Sequence, residues 1–153
     1  MRKQLSKKEI KDLNEKIKSQ FNIDEFFGKK DDAVEETNEF TVIKKENKPV
    51  FVILNDELIP TLKLLLEKQI LPTVTVDMGA IKFVTSGADV MRPGIKSLEV
   101  FEKNKIVCIV EETHKKPLAV GRALFSSEEM TKQQTGKAIK NLHYVGDKIW
   151  QLT

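Results

Sequence analysis

The side chains best suited to chemistry are few and widely separated along the chain. Cys108 is the single cysteine, and His114 and His143 are the two histidines. A nucleophilic cysteine needs a nearby base, but Cys108 falls within an apolar β-branched run and His114 within a turn-forming segment. One thiol and two distant imidazoles also fall short of the ligand set of a zinc site. The sequence therefore predicts no catalytic residue, no metal and no cofactor.

A search for phosphate loops and paired carboxylates also indicates no catalytic site. Neither the GxxxxGK[ST] loop nor the GxGxxG turn occurs in the chain. Asp77 and Asp89 are candidates for a carboxylate pair, but Asp77 stands before Gly79, where a helix needs a cap. Capping explains Asp77 without acid–base chemistry. We therefore expect a binding protein rather than an enzyme.

Glycine spacing is the most informative feature of the second half of the chain. Residues 76–84 and 86–95 place Gly79 at the start of a short predicted helix, Gly87 at its end and Gly94 in the next turn. A glycine at the helix start leaves room for a ligand to approach the backbone, and N–H groups there would meet a phosphate. Backbone geometry alone is the alternative explanation, since Gly87 suits a left-handed helix end.

The elements that position this segment begin with an N-terminal helix. Ser6 and Glu9 form a capping box, and apolar residues at helical spacing continue through Phe21. The lysines between the apolar residues predict a solvated face, with a phosphate-binding face as the alternative. Two strands, at 40–43 and 50–54, then predict a hairpin.

Leucines at helical spacing end the first half of the chain. Asn55 or Asp56 would cap a second helix, which has Pro60 in its first turn and Leu58 on its apolar face, and which ends at Pro72. The composition changes at Pro72, so we place a domain boundary there. The two predicted domains are residues 1–72 and 73–153.

Short strands and turns alternate after the boundary, a pattern typical of a small barrel. Residues 73–76 predict the first strand and residues 114–117 a turn, while Ser126 and Glu129 form another capping box. Three apolar residues are expected in the core: Phe83, Val84 and Trp150.

Charge is divided unevenly between the predicted domains. The formal net charge is +3; residues 1–72 contain 14 basic and 14 acidic residues, and residues 73–153 contain 12 and 9. The surplus therefore lies in the second domain, where clustered cations would attract phosphates. No apolar run approaches the roughly 20 residues of a membrane span, and no secretory signal is predicted. We expect a cytoplasmic protein with no membrane partner.

Several motifs together resemble the PUA domain, the module of pseudouridine synthases and archaeosine transglycosylases. They are the glycine segment at 76–95, the strand 120–123 with its internal glycine, and the glycine–lysine pair at 136–137. With segments 60–72 and 139–150, the chain resembles the family of the malignant T-cell amplified sequence protein and the ligatin-like initiation factors. The compact, lysine-rich chain is most similar to an archaeal homologue.

The resemblance implies an α+β fold, in which a pre-PUA α+β domain precedes a PUA pseudo-barrel of short mixed strands. It implies a monomeric, non-catalytic RNA-binding protein that contacts tRNA or the rRNA of the small ribosomal subunit in initiation or recycling. A protein with an initiation-factor-1-like domain is the implied partner. Two alternatives stay open: an adaptor whose N-terminal domain docks a ribosomal or initiation-factor partner, and an RNA-binding accessory to an RNA-modification enzyme.

The RNA surface implied by the resemblance runs from the Gly79 turn through the next helix and strand and extends onto the last strand. Lys82 and Arg92 would add charge, and Tyr144 would either stack on a base or pack in the core. The predicted RNA-binding set is Gly79, Ala80, Lys82, Ser86, Gly87, Ala88, Arg92, Pro93, Gly94, Lys137, Lys140, His143 and Tyr144.

Overall fold

The computed structural model describes residues 1–152, which pack as two units. The first unit comprises Met1–Pro60 and the second comprises Thr61–Leu152. Packing therefore groups residues 61–72 with the second unit. The boundary predicted near Pro72 concerns independent folding of residues 73–153, and it stays a prediction.

One helix and an antiparallel sheet of five strands make up the first unit. Its elements are β1 (Arg2–Gln4), α1 (Lys7–Phe21), β2 (Ala33–Thr37), β3 (Thr41–Lys45), β4 (Lys48–Leu54) and β5 (Glu57–Pro60). The strands lie in the sheet in chain order, from β1 to β5. Each strand thus pairs with the next one along the chain, with α1 inserted between β1 and β2.

Helix α1 forms as the sequence predicts. The Ser6 hydroxyl accepts a hydrogen bond from the Glu9 N–H, and the Glu9 carboxylate accepts one from the Ser6 N–H, so the capping box is confirmed. Ile17 and Phe21 on its apolar face are buried. The Phe21 ring stacks on Phe51 of β4 at 5.7 Å between ring centroids, which fixes the helix on the sheet.

Two tight turns join the last three strands of this sheet. Glu46–Asn47 connects β3 to β4 with φ angles of 49° and 64°, and Asn55–Asp56 connects β4 to β5 with 48° and 64°. Positive φ at both central residues is typical of type I′ turns, whose twist matches that of paired strands. The helix cap predicted at Asn55 or Asp56 is therefore wrong, and Leu58 and Pro60 lie in strand β5 instead.

A mixed six-stranded sheet with short helices forms the second unit. Its elements are α2 (Leu62–Glu67), β6 (Thr73–Val76), α3 (Ile81–Val84), β7 (Val90–Met91), β8 (Ile95–Leu98), β9 (Ile106–Glu111), β10 (Pro117–Ala123), α4 (Ser127–Lys132) and β11 (Lys137–Tyr144), with 3-10 turns at Met78–Ala80 and Arg92–Gly94. The sheet order is β7-β11-β10-β9-β6-β8, and β6 runs parallel to β9. Both units combine helices with a sheet, so the predicted α+β class is confirmed.

Helix α2 is shorter than the predicted second helix and begins later. The Thr61 hydroxyl caps it by accepting the Leu64 N–H at 3.2 Å, and the helix ends at Glu67. Leu62, Leu64 and Leu65 are buried, and the helix packs on β10. Its apolar face therefore belongs to the core of the second unit.

A tight contact between β10 and β11 explains the glycine inside strand β10. A Cβ atom on Gly121 would lie 2.5 Å from Ile139 Cγ2 and 2.7 Å from the Lys140 carbonyl oxygen. Real side chains do not approach so closely, so only glycine fits at this position. Ile139 belongs to a buried cluster with Val107 and Met130, and any side chain at Gly121 would displace that core.

The reactive-looking groups have ordinary structural positions. Cys108 is buried in the middle of β9, and burial raises the pKa of its thiol to about 12, which keeps it in the unreactive thiol form. Within residues 1–152, no three His, Cys, Asp or Glu side chains are grouped to hold a metal ion. No helix in this range is long and apolar enough to cross a membrane.

Trp150, which the sequence predicts in the core, is only half-buried. Strand β11 ends at Tyr144, and Trp150 lies half-buried in a turn beyond it. Its backbone N–H donates to Asp147 Oδ1 at 2.8 Å. The Lys63 ammonium lies 5.2 Å from the centre of its ring, within range of a cation–π contact.

Candidate nucleic-acid interface

An open cavity of about 580 Å³ lies where the glycine segment folds back on itself. Its wall combines the 3-10 turn after β6, helix α3, strand β7 and the first residue of β11. The lining residues are Asp77, Gly79, Ala80, Phe83, Val84, Ala88, Asp89, Val90, Met91, Gly94 and Lys137. Five residues of the predicted RNA-binding set meet here: Gly79, Ala80, Ala88, Gly94 and Lys137.

Asp77 shapes the entrance of the cavity. Its Oδ1 accepts the Ala80 N–H at 2.9 Å, and its own N–H donates to the Gly94 carbonyl at 3.0 Å. The predicted capping role of Asp77 is thus confirmed. Gly79 is exposed, and a Cβ there would meet just Asp77 Oδ1, at 3.4 Å. Its φ lies outside the left-handed region, so a small side chain at Gly79 would be tolerated.

Two of the N–H groups at the start of this turn are already bonded. Ala80 donates to Asp77, and the Met78 N–H donates to Glu112 Oε2 at 2.7 Å. Two carboxylates therefore occupy the place where a phosphate was expected to meet the backbone. A phosphate at these two N–H groups would have to displace both carboxylates and would be repelled by them, so this geometry argues against the predicted contact, which stays a prediction.

Asn141 on β11 holds the far side of the cavity in place. Its Nδ2 donates to the Val84 and Ala88 carbonyls, each at 3.0 Å, and its N–H donates to Asp89 Oδ1 at 3.0 Å. These bonds tie the end of α3 and the start of β7 to the sheet. Asn141 is absent from the predicted set, since nothing in the local sequence shows which residues it bonds.

Gly87 and Tyr144 form a structural contact behind this wall. Gly87 has φ of +95°, and a Cβ there would lie 3.0 Å from Tyr144 Cε1. The left-handed helix end predicted for Gly87 is confirmed, and the ring leaves no space for a side chain. Tyr144 is partly buried and packs against the core cluster, which favours the core alternative for this ring.

Large apolar side chains surround the cavity. Phe83, which is 62% exposed, and Met91, which is 47% exposed, line it, and Met78, outside the lining, is 50% exposed. The prediction that Phe83 lies in the core is wrong, whereas Val84 is buried as predicted. Helical spacing does not separate the two, because a short helix with one buried face can carry an aromatic ring on its open face.

Charged groups at the cavity are few and mostly paired. Lys137 Nζ lies 3.3 Å from Asp89 Oδ2, with the lysine side chain 64% exposed. Lys82 is exposed on α3, one residue before Phe83. Ser86 is exposed, but its hydroxyl donates to the Lys82 carbonyl at 2.7 Å. The cavity thus offers an apolar surface with two carboxylates and one lysine, Lys137, whereas Lys82 lies outside the lining.

Arg92 is tied to its own fold. Its Nε donates to the Met130 carbonyl at 2.6 Å, and its Nη1 donates to the Ile95 carbonyl at 3.2 Å. The guanidinium is absent from the cavity lining, so it braces the turn that contains Pro93 instead of facing a ligand. Lys140 is exposed on β11 but also lies outside the lining.

His143 lies in the interior rather than on the predicted surface. Its side chain is 1% exposed. Nδ1 is 2.9 Å from Asp147 Oδ2, and Nε2 accepts the Leu62 N–H at 3.0 Å, which requires the proton on Nδ1. Burial tends to raise the pKa of Asp147, but hydrogen bonds from His143 and from the Trp150 N–H lower it overall.

Comparison with known proteins identifies both halves of the chain. A profile described as "PUA domain" matches residues 72–145, and one described as "Domain of unknown function (DUF1947)" matches residues 1–68. A protein of Methanocaldococcus jannaschii is 47% identical over 152 residues, covering 95% of this chain and 93% of the relative. Translation machinery-associated protein 20 of Schizosaccharomyces pombe is 33% identical and covers 79% of this chain and 76% of the yeast protein. This chain belongs to that family.

Vertebrate members match a shorter stretch. Malignant T-cell-amplified sequence 1 of Danio rerio is 41% identical over 98 residues, which is 61% of this chain and 54% of the zebrafish protein. The chain thus spans about half the length of that relative. The predicted membership of the malignant T-cell amplified sequence family is confirmed.

Solved structures agree with the fold of both units. A PUA domain protein of Aeropyrum pernix superposes with a TM-score of 0.88 at 27% identity, covering 99% of this chain and 90% of that one. A chain of an H/ACA ribonucleoprotein bound to a substrate RNA matches with a TM-score of 0.51 at 27% identity, covering 62% of this chain and 29% of that one. The predicted PUA-type fold is confirmed.

Proposed function

We propose that this chain is a non-catalytic RNA-binding protein of the translation machinery, which acts in the cytoplasm on tRNA or on the small ribosomal subunit. One observation carries the proposal: the Phe83 ring is 62% exposed beside the open cavity. Water-exposed apolar patches of this kind mark binding sites, and aromatic rings are the usual platforms for unpaired bases.

The lining favours an unpaired nucleotide over a duplex. A base that enters the cavity would stack on Phe83 and contact Met91. Its N–H groups would donate to the carboxylates of Asp77 or Asp89, which accept hydrogen bonds and would repel a phosphate. Lys137 in the lining and Lys82, which is exposed on α3 next to Phe83, are left for the phosphates on either side of the base.

The relatives support the choice of translation. Family members are named translation machinery-associated proteins, and a protein of the same fold belongs to a ribonucleoprotein that holds a substrate RNA. An initiation-factor-1-like protein is the proposed partner. Because the described residues offer a binding cavity and a thiol whose burial suppresses reactivity, we propose no catalytic step.

Binding measurements on the full chain test this proposal. The probes are an RNA stem with an unpaired 3′ end and purified small ribosomal subunits, each titrated at two salt concentrations. Replacing Phe83 by Ala should weaken binding about fivefold to a hundredfold, since stacking contributes about 1–3 kcal/mol per base. Phe83→Tyr keeps the ring and should keep most of the affinity.

Phe125→Ala is the matched control, because Phe125 is also an exposed aromatic residue of the second unit but does not line the cavity. It should leave both affinities unchanged. If the wild-type chain binds neither probe, or if Phe83→Ala and Phe125→Ala behave alike, RNA binding by this cavity is refuted. An adaptor role for the first unit would then be the next hypothesis to test.

A further inference from the structure

The tip of the hairpin between β9 and β10, residues 112–116, lies against the Gly79 turn. Glu112 Oε2 accepts the Met78 N–H at 2.7 Å, and the Thr113 hydroxyl lies 3.2 Å from the Met78 sulfur. Parallel pairing of β6 with β9 places Val76 opposite Glu111. Both strands therefore end at the same edge of the sheet. This hairpin tip is therefore fixed beside the Gly79 turn, which supplies part of the cavity wall.

A buried carboxylate makes the hairpin tip rigid. Glu111 is 6% exposed, and its Oε1 accepts the His114 N–H at 2.6 Å. That bond lowers the pKa of Glu111, despite the opposing effect of burial. The Lys115 N–H donates to the Glu111 carbonyl at 3.1 Å, and Lys115 adopts the left-handed conformation with φ of 56°.

Basic side chains are what the rigid hairpin tip presents to solvent. His114, Lys115 and Lys116 are all exposed. The two acidic residues beside them are directed to backbone N–H groups, Glu111 to the tip itself and Glu112 to Met78. The acidic groups thus organise the loop, and the lysines give it a positive surface.

The position of the hairpin tip matters because the phosphates of a strand bound at the cavity need cations nearby. Asp77 and Glu112 place two carboxylates on the Ala80 and Met78 N–H groups of the Gly79 turn, so the backbone phosphates of a bound strand are better held by cations elsewhere on that side. We infer that the hairpin tip is a second half of the RNA-binding surface, which takes the phosphate backbone next to the nucleotide held in the cavity. This inference rests on the proposed function.

Glu112 offers a test in which two explanations predict opposite signs. Removing a negative charge raises RNA affinity if charge alone matters. If Glu112 instead positions the hairpin tip, Glu112→Ala should weaken binding, and Glu112→Gln, whose amide oxygen still accepts the Met78 N–H, should not. The measurement is the titration of the full chain with the RNA stem that has an unpaired 3′ end.

Lys116→Ala tests the charge directly. It should weaken binding about threefold to fivefold, the size expected for an exposed ion pair, and should lower the log–log salt slope by about 0.7 to 0.9. Lys103→Ala is the matched control, because Lys103 is an exposed lysine that precedes β9 at the opposite end of the same strand pair. Melting temperatures of all variants should match that of the wild type.

The outcomes separate the inference from the function on which it rests. The inference alone is overturned if Phe83→Ala weakens RNA binding while Lys116→Ala and Lys103→Ala have equal effects. Tighter binding by Glu112→Ala overturns only the positioning role of Glu112, because a lost negative charge at the hairpin tip would then favour the phosphates. If the wild-type chain does not bind the RNA stem or small ribosomal subunits, the proposed function itself fails.

Discussion

An open cavity lies in each of the two units, and the two cavities differ in what they offer a ligand. The cavity beside Gly79 is lined mostly by apolar side chains, with Phe83 exposed. Most residues that line the groove along α1, of about 890 Å³, are polar or charged, although apolar atoms form most of its surface: Lys7, Ile10, Lys11, Asn14, Glu15, Lys18, Ser19, Asp24, Glu25, Phe27, Gly28 and Lys29. The aromatic residue of the groove, Phe27, is only 2% exposed.

Internal bonds explain why the groove offers less than its lysines suggest. The Asn14 side chain brackets Phe27, donating to its carbonyl at 2.9 Å and accepting its N–H at 3.0 Å. Lys18 pairs with Asp24 at 3.1 Å. The polar groups of the groove thus hold its own loop in place. A lysine-rich sequence is a weaker sign of RNA binding than one aromatic ring that the fold leaves uncovered.

The largest effect on stability and RNA binding is expected from truncating the chain at different positions. A fragment of residues 61–152 should unfold cooperatively and bind the RNA stem like the full chain, whereas residues 1–60 should not bind it. Residues 73–153 lack Leu62, which donates to His143, and lack the buried leucines of α2. Burying each leucine contributes about 1.5–3 kcal/mol, so this shorter fragment should be far less stable.

Urea unfolding of the two fragments, followed by circular dichroism, measures the difference. Equal midpoints for residues 61–152 and 73–153 would show that α2 is dispensable and would support the boundary near Pro72. RNA binding by residues 1–60 would instead move the proposed surface to the groove.

The next largest effects are expected from replacing Arg92 and Lys82, two cations of the glycine segment. Arg92→Ala should lower the free energy of unfolding by about 1.5–3 kcal/mol, the range for hydrogen bonds to a charged group, because the guanidinium bonds two carbonyls. Lys82→Ala should leave stability unchanged but lower the salt slope of RNA binding by about 0.7 to 0.9. Thermal melts and titrations on both variants separate the two roles.

The reverse pattern would contradict this assignment. If Lys82→Ala destabilises the protein and Arg92→Ala reduces RNA affinity at unchanged stability, then Arg92 leaves its carbonyl partners to contact the ligand. Arg92→Lys helps to decide, since lysine keeps the charge but cannot reproduce the forked geometry of the guanidinium.

These residues also show how much the sequence predicts. Capping boxes were predictable because Ser6 and Glu9 are three residues apart and bond within one turn. Asn55–Asp56 was misassigned because the same short polar side chains cap helices and also tolerate the left-handed turn. The sequence does not indicate the choice, which depends on the pairing of β4 with β5.

The predicted site was harder to derive, for a related reason. The glycine segment predicts a region that contains the cavity, since Gly79 and Gly94 both line it, and RNA binding there stays a prediction. His143 was placed on the surface because its partner Leu62 lies 81 residues away. Phe83 was placed in the core because apolar spacing does not distinguish a buried ring from an exposed one. Long-range contacts decide both positions, and no local pattern encodes them.

A smaller effect is expected in the groove. Changing both Lys11 and Lys29 to Ala should leave RNA affinity within about twofold of the wild type, as expected for exposed charges away from the contact. Filter binding with the RNA stem gives the answer. A loss as large as that of Phe83→Ala would mean that the groove, not the cavity, is the main RNA surface.

The smallest effect concerns the capping boxes that both units contain. In α1 the carboxylate of Glu9 accepts hydrogen bonds from the Lys3 ammonium, which has the larger effect, and from the Ser6 N–H. Together these bonds lower the pKa of Glu9 to about 2. In α4 the Ser126 N–H also lowers the pKa of Glu129, but Lys103 acts on it only through its charge. The pKa of Glu9 in the first unit should therefore be lower than the pKa of Glu129 in the second.

The sign of the pH dependence follows from the lowered pKa. Ionised Glu9 stabilises the fold above its unfolded pKa of about 4.5, and this contribution is lost as the pH falls towards 2. Side-chain NMR titrations of Glu9 and Glu129 measure the two values. Lys3→Ala should raise the pKa of Glu9 more than Ser6→Ala does, because the lysine is its strongest partner. Added salt should raise it in the wild type, since exposed charges are screened, and a pKa of Glu9 that responds to neither change would show that the lysine contact does not persist in solution.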